Sequence, residues 1–406
     1  MMRSPEILAP AGDMTCLQAA LDAGADAVYL GLGAFNMRQM ATRNFTRDTL
    51  PEAAQRCRER GAHLYLTLNS ILFDGELEAV AETLRFAQPH IDAAIAADWA
   101  AIEACKRLGI PFHISTQMSC SNAAAARFFK SQGARRVVLA RECTLAEAAA
   151  IAASAGIDVE TFVHGAICVA TSGRCLLSHE AYGCSSNRGE CHQPCRRQFL
   201  IREVREGDNA DAAFLVTPHT VLSARDLCSL PFVDQLMAAG IASFKIEGRA
   251  RNPEYVKAVV TAYRAAVAAV LDGTFTAALA QKLTDDCAKV YHREFNCGLY
   301  YGRPGKDQFT DTEENQAAER KRYVGVVQNY YPQAHVAQIL VHDHPIAVGD
   351  RLSIHGPTSG VVDLTVESLR RDEEICVRAE RGTWVTCPCA QRVRPSDKVF
   401  IVEPAD

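Results

Sequence analysis

The sequence predicts an α/β protein: a TIM-type (β/α)8 barrel with a Cys-rich insertion between strands 7 and 8, followed by a small C-terminal β-barrel. Three observations predict this fold. Short apolar runs alternate with Ala-rich helical stretches from the N-terminus onward. Cysteines are concentrated in the long interval between the seventh and the eighth run. Beyond Tyr323, apolar and polar residues alternate, as they do in half-buried strands.

Eight apolar runs account for the strands of the barrel. They begin at Glu6, Ala27, His63, Ala93, Pro111, Arg136, Asp158 and Ser243. The stretches between them carry apolar residues at helical spacing, and two of them, TCLQAALDAG and TLAEAAAIAASAG, end in a glycine suited to a left-handed cap. In such a barrel the active site lies at the carboxyl ends of the strands.

Polar residues recur at those strand ends. They are Asp13, Asn69, Asp98, Gln117, Glu142, His164 and Glu247. Any one of them could simply cap the helix that follows. Their shared position favours an active site.

The run order also predicts the domain boundaries. Residues 1–310 form the barrel, and its insertion, at about 165–242, is far longer than an ordinary βα loop. The polar, acidic stretch TDTEENQAAE predicts a linker at 311–320, and the alternating segment 321–406 predicts the small β-barrel. Such a barrel either binds nucleic acid, docks to a partner or is a passive accessory, and fold alone does not decide between these roles.

The composition excludes several classes of protein. With 48% hydrophobic and 22% charged residues, the chain is typical of soluble globular proteins. No apolar run approaches the roughly 18 residues of a membrane span. The first residues, MMRSPEILAPAGD, lack the apolar region of a secretory signal. We therefore expect a cytoplasmic protein with no membrane partner.

The net charge of -5 argues against a generally basic, nucleic-acid-binding surface. Positive charge is nevertheless concentrated in two segments, RRQFLIREVR and ERKRY. Their cations are Arg196, Arg197, Arg202, Arg205, Arg320, Lys321 and Arg322. Each segment is either a local basic patch or an ordinary solvated strand face.

Sixteen cysteines are many for a chain without an export signal, because a reducing cytosol disfavours structural disulfides. Six of them fall within 61 residues: Cys168, Cys175, Cys184, Cys191, Cys195 and Cys228. This density is typical of metal or cluster ligation. Zinc sites favour paired ligands two to four residues apart, so the spacing favours an iron–sulfur cluster over zinc without excluding zinc.

The segment ETFVHGAICVATSGRCLLS resembles the signature of the collagenase-like peptidase family U32. The blocks EILAPAGD, STQMS, NRGECHQPCR, SARDL and FKIEGRARNPEYV resemble other family blocks in the same order. Despite the name, the resemblance implies oxygen-independent hydroxylases that carry a four-cysteine [4Fe-4S] cluster, and members acting on RNA that depend on prephenate. The length and the appended β-barrel resemble the tRNA-modifying members, which make 5-hydroxyuridine at the wobble position.

By this resemblance the predicted cluster ligands are Cys168, Cys175, Cys191 and Cys228, with Cys195 as the alternative, and Cys184 is a bystander. The implied partner is the tRNA anticodon loop, and prephenate is the implied co-substrate. A protein partner or a homo-oligomer stays open. The alternatives are a peptidase and a hydroxylase that acts on another RNA or on a quinone precursor. No H-E-x-x-H helix and no G-x-S-x-G elbow appears in the sequence, which weighs against a familiar protease.

The remaining site predictions rest on the chemistry of the side chains. Guanidinium groups grip carboxylates bidentately, histidine moves protons near neutral pH, and an amide can bond a uracil edge. The predicted catalytic residues are His164, Lys245, Glu247 and Gln117. The predicted substrate-binding residues are Arg174, Arg249, Asn69 and Arg188. For Lys245 and Glu247 the structural alternative is an ion pair between the two at the end of the barrel.

Overall fold

A computed structural model describes residues 3–40, 44–172, 174–197, 222–302, 309–310, 315–372 and 374–405. Eight parallel strands form a closed barrel. They are β1 (Glu6–Pro10), β2 (Ala27–Leu30), β3 (His63–Leu68), β4 (Ala93–Ala96), β5 (Phe112–Ile114), β6 (Arg136–Val138), β7 (Asp158–Gly165) and β9 (Ser243–Ile246). Each pairs with the next in chain order, and β9 pairs with both β1 and β7, which closes the barrel. The predicted TIM-type fold is confirmed.

Helices follow the strands around the barrel. They are α1 (Met14–Asp22), α2 (Leu50–Glu59), α3 (Leu77–Ala87), α4 (Trp99–Leu108), α5 (Ala123–Ser131), α6 (Leu145–Ser154), α7 (Leu177–Tyr182), α8 (Val233–Ala238), α9 (Pro253–Leu271) and α10 (Ala277–Ala288). Short 3-10 helices lie at Asp74–Glu76, Gln88–His90, Thr116–Met118, Ser186–Arg188, Pro194–Arg196 and Leu230–Phe232. Among the described helices, none combines the length and the hydropathy of a membrane span.

The main core lies between the strands and the helices, where α9 buries Tyr255 and Tyr263 completely against the barrel. The segment between β7 and β9 contains α7 and a further strand, β8 (Asp226–Cys228), which runs antiparallel to β7 at its carboxyl end. The short strand β10 (Phe295–Asn296) pairs with β8. The insertion therefore covers the same end of the barrel at which the parallel strands terminate.

The C-terminal unit is antiparallel. Its strands are β11 (Glu319–Tyr331), β12 (Val336–Val341), β13 (Ile346–Ala347), β14 (Arg351–Gly356), β15 (Gly360–Thr365), β16 (Leu369–Arg371), β17 (Glu374–Cys376), β18 (Arg378–Ala379), β19 (Trp384–Pro388) and β20 (Lys398–Pro404). Eight of them form a sheet in the order β15-β14-β20-β11-β12-β19-β16-β17 around one apolar core, and β13 pairs with β18. The hydrogen-bonded order of the described strands ends at β15 and β17.

Two sequence predictions fall partly on undescribed residues. Of the predicted linker at 311–320, residues 311–314 lie outside the described ranges, and β11 already begins at Glu319. Arg202 and Arg205 of the first basic segment also lie outside the described residues.

The second basic segment lies on β11 and is engaged in ion pairs. Arg320 pairs with Glu403 at 2.8 Å, and Lys321 pairs with Glu254 of α9 at 2.6 Å. Arg322 also contacts Glu403. In this segment the positive charge stabilises the sheet and its contact with the barrel.

Candidate active site

A polar cavity of about 40 Å³ opens at the carboxyl ends of the strands. Five residues predicted from the sequence line it together: Asn69, Gln117, Lys245, Glu247 and Arg249. The parallel topology explains this, because loops that follow neighbouring parallel strands meet at one edge. A cavity of this size holds one small polar group, so the ring of a larger substrate would lie at its opening.

Two amides form one wall of the cavity. The Asn69 side chain follows β3 and donates to Ser115 Oγ and to Gln117 Oε1, both at 3.3 Å. Its Oδ1 accepts from the backbone N–H of Met37 at 3.2 Å. Ser115 also donates to the Gln117 side chain. These contacts fix the orientation of both amides, as recognition of a planar substrate edge requires.

Below the cavity, four charged side chains from different strands form a closed group inside the barrel, which we call the inner ion group: Glu6, Arg136, Glu160 and Lys245. Lys245 Nζ lies 2.9 Å from Glu160 Oε1, and Arg136 contacts both Glu6 and Glu160. Burial raises the pKa of Glu160, but Lys245 and Arg136 outweigh burial and bring it to about 2. The alternative pairing of Lys245 with Glu247 is wrong, because the partner of Lys245 is Glu160.

At the cavity itself the balance of charge differs. The mouth group, as we call it, consists of Glu247, Arg38 and Arg249, which line the cavity, and of Arg141, which lines an apolar pocket that shares Phe162 with the cavity. Arg38 lies 3.3 Å from Glu247 Oε1. Burial raises the pKa of Glu247, whereas the nearby arginines lower it below its usual range. Among the residues that the structure describes, three guanidinium groups thus act on the carboxylate of Glu247, and this concentration of positive charge suits an anionic ligand.

Arg249 is anchored within this group. It donates to Asn36 Oδ1 at 3.0 Å and to Thr67 Oγ1 at 2.8 Å. Burial lowers its pKa to about 10. Gly31 makes this arrangement possible, since a Cβ at that position would lie 2.9 Å from the Arg249 guanidinium. Arg249 therefore contributes a fixed charge to the cavity.

Arg38 and Arg141 were missed by the sequence predictions. Arg38 follows β2 in the loop AFNMRQM, and its position after a strand end was the available signal. Arg141 follows β6, and its guanidinium carbon lies 3.8 Å from the centre of the Phe162 ring. Its NH1 is buried without a hydrogen-bond partner. Burial lowers the pKa of Arg141 because the charged guanidinium is poorly solvated there. An anion bound next to it would stabilise this buried positive charge.

His164 does not line the polar cavity, contrary to the expectation from its place at a strand end. Phe162 pairs with Lys245 but His164 pairs with Ile246, which marks a bulge in β7. The bulge turns His164 outward against Tyr255, Tyr263 and Phe295. Burial there lowers its pKa to about 3, so the ring is neutral at physiological pH.

Four thiols of the insertion are neighbours. Burial raises the pKa of Cys195, Arg196 lowers it, and the nearby side chains of Cys168, Cys191 and Cys175 raise it further. Arg38 of the mouth group also senses the charge of Cys191 and Cys168. Cys195 therefore lies within electrostatic range of three of the predicted ligands, and two of these, Cys168 and Cys191, lie within range of Arg38 at the polar cavity.

Cys228 faces another part of the molecule. Its neighbour Leu227 lines an apolar pocket with Ile167, and successive residues of a strand face opposite sides. Burial raises the pKa of Cys228 to about 11, although the nearby Thr284 and Tyr263 side chains lower it. The thiol on which Cys228 acts is Cys287, whose pKa is raised by burial and, to a smaller extent, by Cys228. The geometry favours Cys195 over Cys228 as the fourth member of the thiol group.

The thiol group fits an iron–sulfur cluster in its donor chemistry, because each iron of a [4Fe-4S] unit takes one cysteine. Arg38 and Arg196 add positive charge next to thiolates. Among the described residues, no set of three or more His, Cys, Asp or Glu side chains stands at metal-binding distances. Binding would therefore require the loops to draw the thiols together.

The two remaining predicted arginines lie away from the cavity. Arg174 is exposed on the insertion between Cys168 and Cys175. Arg188 donates to Ile71 O at 2.9 Å and pairs with Glu76, which follows β3. Of the other strand-end residues, Asp13 and Asp98 accept from backbone N–H groups as the N-caps of α1 and α4. For these two, the capping alternative is confirmed.

Comparison with known proteins assigns the family. The profile of peptidase family U32 matches residues 12–310, which span the barrel from α1 onward and its insertion. The chain belongs to peptidase family U32. The resemblance found in the signature around Cys168 and Cys175 is thereby confirmed.

Relatives within this family carry names of two kinds. A protein of Porphyromonas gingivalis named collagenase is 36% identical over 97% of this chain and 97% of its own length. The tRNA hydroxylation protein P1 of Bacillus subtilis is 31% identical over 90% of this chain and 87% of its own length. The 23S rRNA 5-hydroxycytidine synthase of Escherichia coli is 36% identical over 66% of this chain and 40% of its own length.

Proposed function

We propose that this U32 family member is an RNA hydroxylase that converts the wobble uridine of tRNA to 5-hydroxyuridine without molecular oxygen. The observation that carries the proposal is the placement of four thiols beside a cation-rich polar cavity at the mouth of the barrel. Relatives named for tRNA hydroxylation and for rRNA 5-hydroxycytidine synthesis support RNA as the substrate class. The tRNA-named relative supports tRNA, because the chain spans most of that protein.

The proposed cofactor is a [4Fe-4S] cluster held by Cys168, Cys175, Cys191 and Cys195. When bound, such a cluster supplies redox or Lewis-acid chemistry beside the substrate. Burial and neighbouring thiolates raise the pKa of Cys195, so the free thiol keeps its proton and iron binding would release it. The role of the arginines near the thiols is to balance the negative charge of the ligated cluster.

The proposed co-substrate is prephenate, a dicarboxylate. Arg141 and Arg38 are the groups best suited to receive its carboxylates, since Arg38 lines the polar cavity and Arg141 NH1 is buried without a hydrogen-bond partner. The cavity accepts one carboxylate, while the ring and the second carboxylate would lie above it. Guanidinium groups provide paired donors for this purpose.

The uracil edge is assigned to the amides of Asn69 and Gln117, whose donors and acceptors match a pyrimidine edge. Both are held by hydrogen bonds and lie in the cavity wall. An anticodon loop presents unstacked bases, so the target base reaches the mouth at little cost. A hydroxylase for another RNA would use the same two amides but would bind the rest of its RNA through a different surface.

Nucleoside mass spectrometry of tRNA tests the activity. In a strain that lacks this gene, 5-hydroxyuridine and its derivatives should disappear from tRNA and return on complementation. In purified form, the protein should restore them on unmodified tRNA only when prephenate is present. Unchanged tRNA nucleosides together with a changed nucleoside in rRNA would move the assignment to another RNA.

Iron and sulfide assays after anaerobic purification test the cofactor. The Cys195→Ser variant should lose essentially all bound iron, as should Cys168→Ser. Cys228→Ser is the matched control, and it should retain the iron content of the wild type while remaining folded. Loss of iron in Cys228→Ser with retention in Cys195→Ser would contradict the ligand set proposed here.

A peptidase is the second candidate, because a relative is named collagenase. One serine–histidine contact bears on it: Ser353 Oγ lies 2.9 Å from His355 Nε2, and His355 Nδ1 lies 3.9 Å from Glu254 Oε2. However, Ser353 is only 2% exposed and also bonds Asp363 at 2.7 Å. Burial lowers the pKa of His355 to about 4, which makes it a weak base. Gelatin cleavage that Ser353→Ala abolishes would support the peptidase.

A further inference from the structure

Large apolar side chains are exposed around the barrel mouth. Phe73 is 59% exposed and Trp99 is 44% exposed, and both lie on loops or helix starts that follow the barrel strands. On the insertion, Leu176 is 65% exposed and Tyr182 is 39% exposed. A monomeric protein rarely leaves several large apolar residues uncovered on one face, so this face marks an interaction surface.

Phe73 is supported from below by an arginine. The guanidinium carbon of Arg188 lies 4.4 Å from the centre of the Phe73 ring. Arg188 is itself held by Ile71 O at 2.9 Å and by the Glu76 carboxylate. The aromatic ring is therefore fixed in place while more than half of it stays exposed. A fixed, exposed ring is a suitable stacking platform.

Tyr182 repeats this pattern on the insertion. The guanidinium carbon of Arg197 lies 5.4 Å from the centre of its ring. The His192 ring packs on the Tyr182 ring with their centroids 4.8 Å apart. Arg197 and His192 are both exposed. Two aromatic–arginine pairs, Phe73 with Arg188 and Tyr182 with Arg197, thus stand on the mouth face, and we call them the rim pairs.

The rim pairs lie next to the candidate active site. Asn69, which lines the polar cavity, is on the same loop as Phe73. The backbone N–H of Ile71 donates to Asn187 O at 3.5 Å, and the Asn187 side chain accepts from the backbone N–H of Cys175 at 2.9 Å. One chain of contacts therefore joins Phe73 to Cys175 of the thiol group, and Tyr182 packs on His192, which follows Cys191 of the same group. A ligand on the rim pairs would thus extend from the mouth.

The charge of this surface suits a polyanion. The described part of the insertion from 174 to 197 contains four arginines, Arg174, Arg188, Arg196 and Arg197, and two glutamates, Glu180 and Glu190. It is therefore positive although the whole chain has a net charge of -5. Aromatic faces interleaved with arginines are the groups that bind unpaired nucleotides, the first by stacking and the second through phosphates.

We propose that the rim pairs are a stacking surface for the unpaired nucleotides of an RNA loop that flank the base held at the mouth. The inference rests on the proposed function and adds to it the part of the RNA that the protein grips. A paired RNA helix has no free base faces to offer to Phe73 and Tyr182. Recognition therefore requires a loop or a single strand.

The test is fluorescence anisotropy with the anaerobically purified full chain and a labelled RNA hairpin that has a uridine-containing loop. Phe73→Ala and Tyr182→Ala should each weaken hairpin binding roughly tenfold, the range of base–aromatic stacking. Phe73→Tyr should bind like the wild type. Trp384→Ala is the matched control, an exposed aromatic on the C-terminal sheet that is 44% exposed. Arg197→Gln should also reduce the salt dependence of binding by one phosphate contact.

Two outcomes would overturn the inference. One is hairpin binding by Phe73→Ala and Tyr182→Ala equal to that of the wild type, with melting temperature and iron content also equal. The other is that both variants change self-association in light scattering but not RNA binding, which would make the rim a contact between copies of this chain. Suppose that either result is obtained and that the deletion strain loses 5-hydroxyuridine from its tRNA as expected. The stacking surface would then be contradicted, while the proposed function would stand.

Discussion

The inner ion group and the mouth group, which are neighbouring layers of charged side chains, differ in their balance of charge. In the inner ion group, Glu6 and Glu160 face Arg136 and Lys245, so two anions balance two cations. In the mouth group, as far as the described residues go, one carboxylate, that of Glu247, interacts with three arginines. The charges of the inner ion group therefore balance one another. In the mouth group an anionic ligand would improve the balance of charge.

The comparison separates a structural role from a binding role. Removing one partner of a buried ion pair destabilises a protein strongly, whereas replacing the whole pair by apolar residues often changes stability little. We therefore assign the inner ion group a structural role in the barrel and no role in the reaction. Uncompensated buried cations are costly to the fold, and such groups concentrate at functional sites. We therefore expect mutations in the two layers to affect different measurements.

The largest effect on stability should come from Glu160→Gln. This change leaves Lys245 and Arg136 buried with too little negative charge, and it should lower the free energy of unfolding by about 3–5 kcal/mol. Glu247→Gln should cost clearly less, because the Glu247 side chain is 15% exposed whereas that of Glu160 is fully buried. Urea denaturation of both variants measures the difference. Equal losses would remove the distinction between the layers.

The next effect should appear at the mouth. Arg141→Ala should raise the KM for the proposed co-substrate, prephenate, by roughly 10- to 100-fold, as expected for the loss of one charge-assisted contact. Its stability should fall less than that of Glu160→Gln, because Arg141 NH1 has no hydrogen-bond partner to lose. Steady-state kinetics on tRNA at varied prephenate checks this. Arg371→Gln, on strand β16 of the C-terminal sheet, is the control and should leave this KM unchanged.

The smallest effect concerns pH. Burial lowers the pKa of His113, which borders the inner ion group, to about 3, and Arg136 adds to the shift. The unfolded chain takes up this proton below about pH 6.5, so stability should fall as pH drops, by about 2 kcal/mol between pH 7 and 5. Glu160 acts in a lower window, since its contribution is lost between its ordinary value and about pH 2. Urea titrations of wild type and His113→Gln should differ in slope between pH 7 and 5, and identical slopes would contradict this assignment.

Much of the site followed from position along the chain. The first strand, EILAP, is confirmed at Glu6–Pro10, and the residues after β3, β5 and β9 meet in one cavity as expected. His164 was misplaced because a bulge in β7 changes which side of the strand it faces. A bulge leaves no mark in the apolar pattern of DVETFVHG, since both faces of this strand are buried.

The cysteines show the same division. Sequence spacing identified the thiols, but the choice between Cys195 and Cys228 depends on which face of a three-residue strand points to the insertion. Arg141 was missed because a single arginine after a strand resembles any exposed arginine. Only packing against Phe162 and burial without a full set of partners distinguishes it.

The sequence by itself determined the barrel, the end of it that carries chemistry and the family, because hydrophobic periodicity and strand order are local properties that the chain carries wherever it folds. The tertiary structure decided which charges balance, which thiols are neighbours and which rings stay exposed. These depend on distances between residues far apart in sequence, and electrostatic energy is set by distance and burial rather than by spacing along the chain.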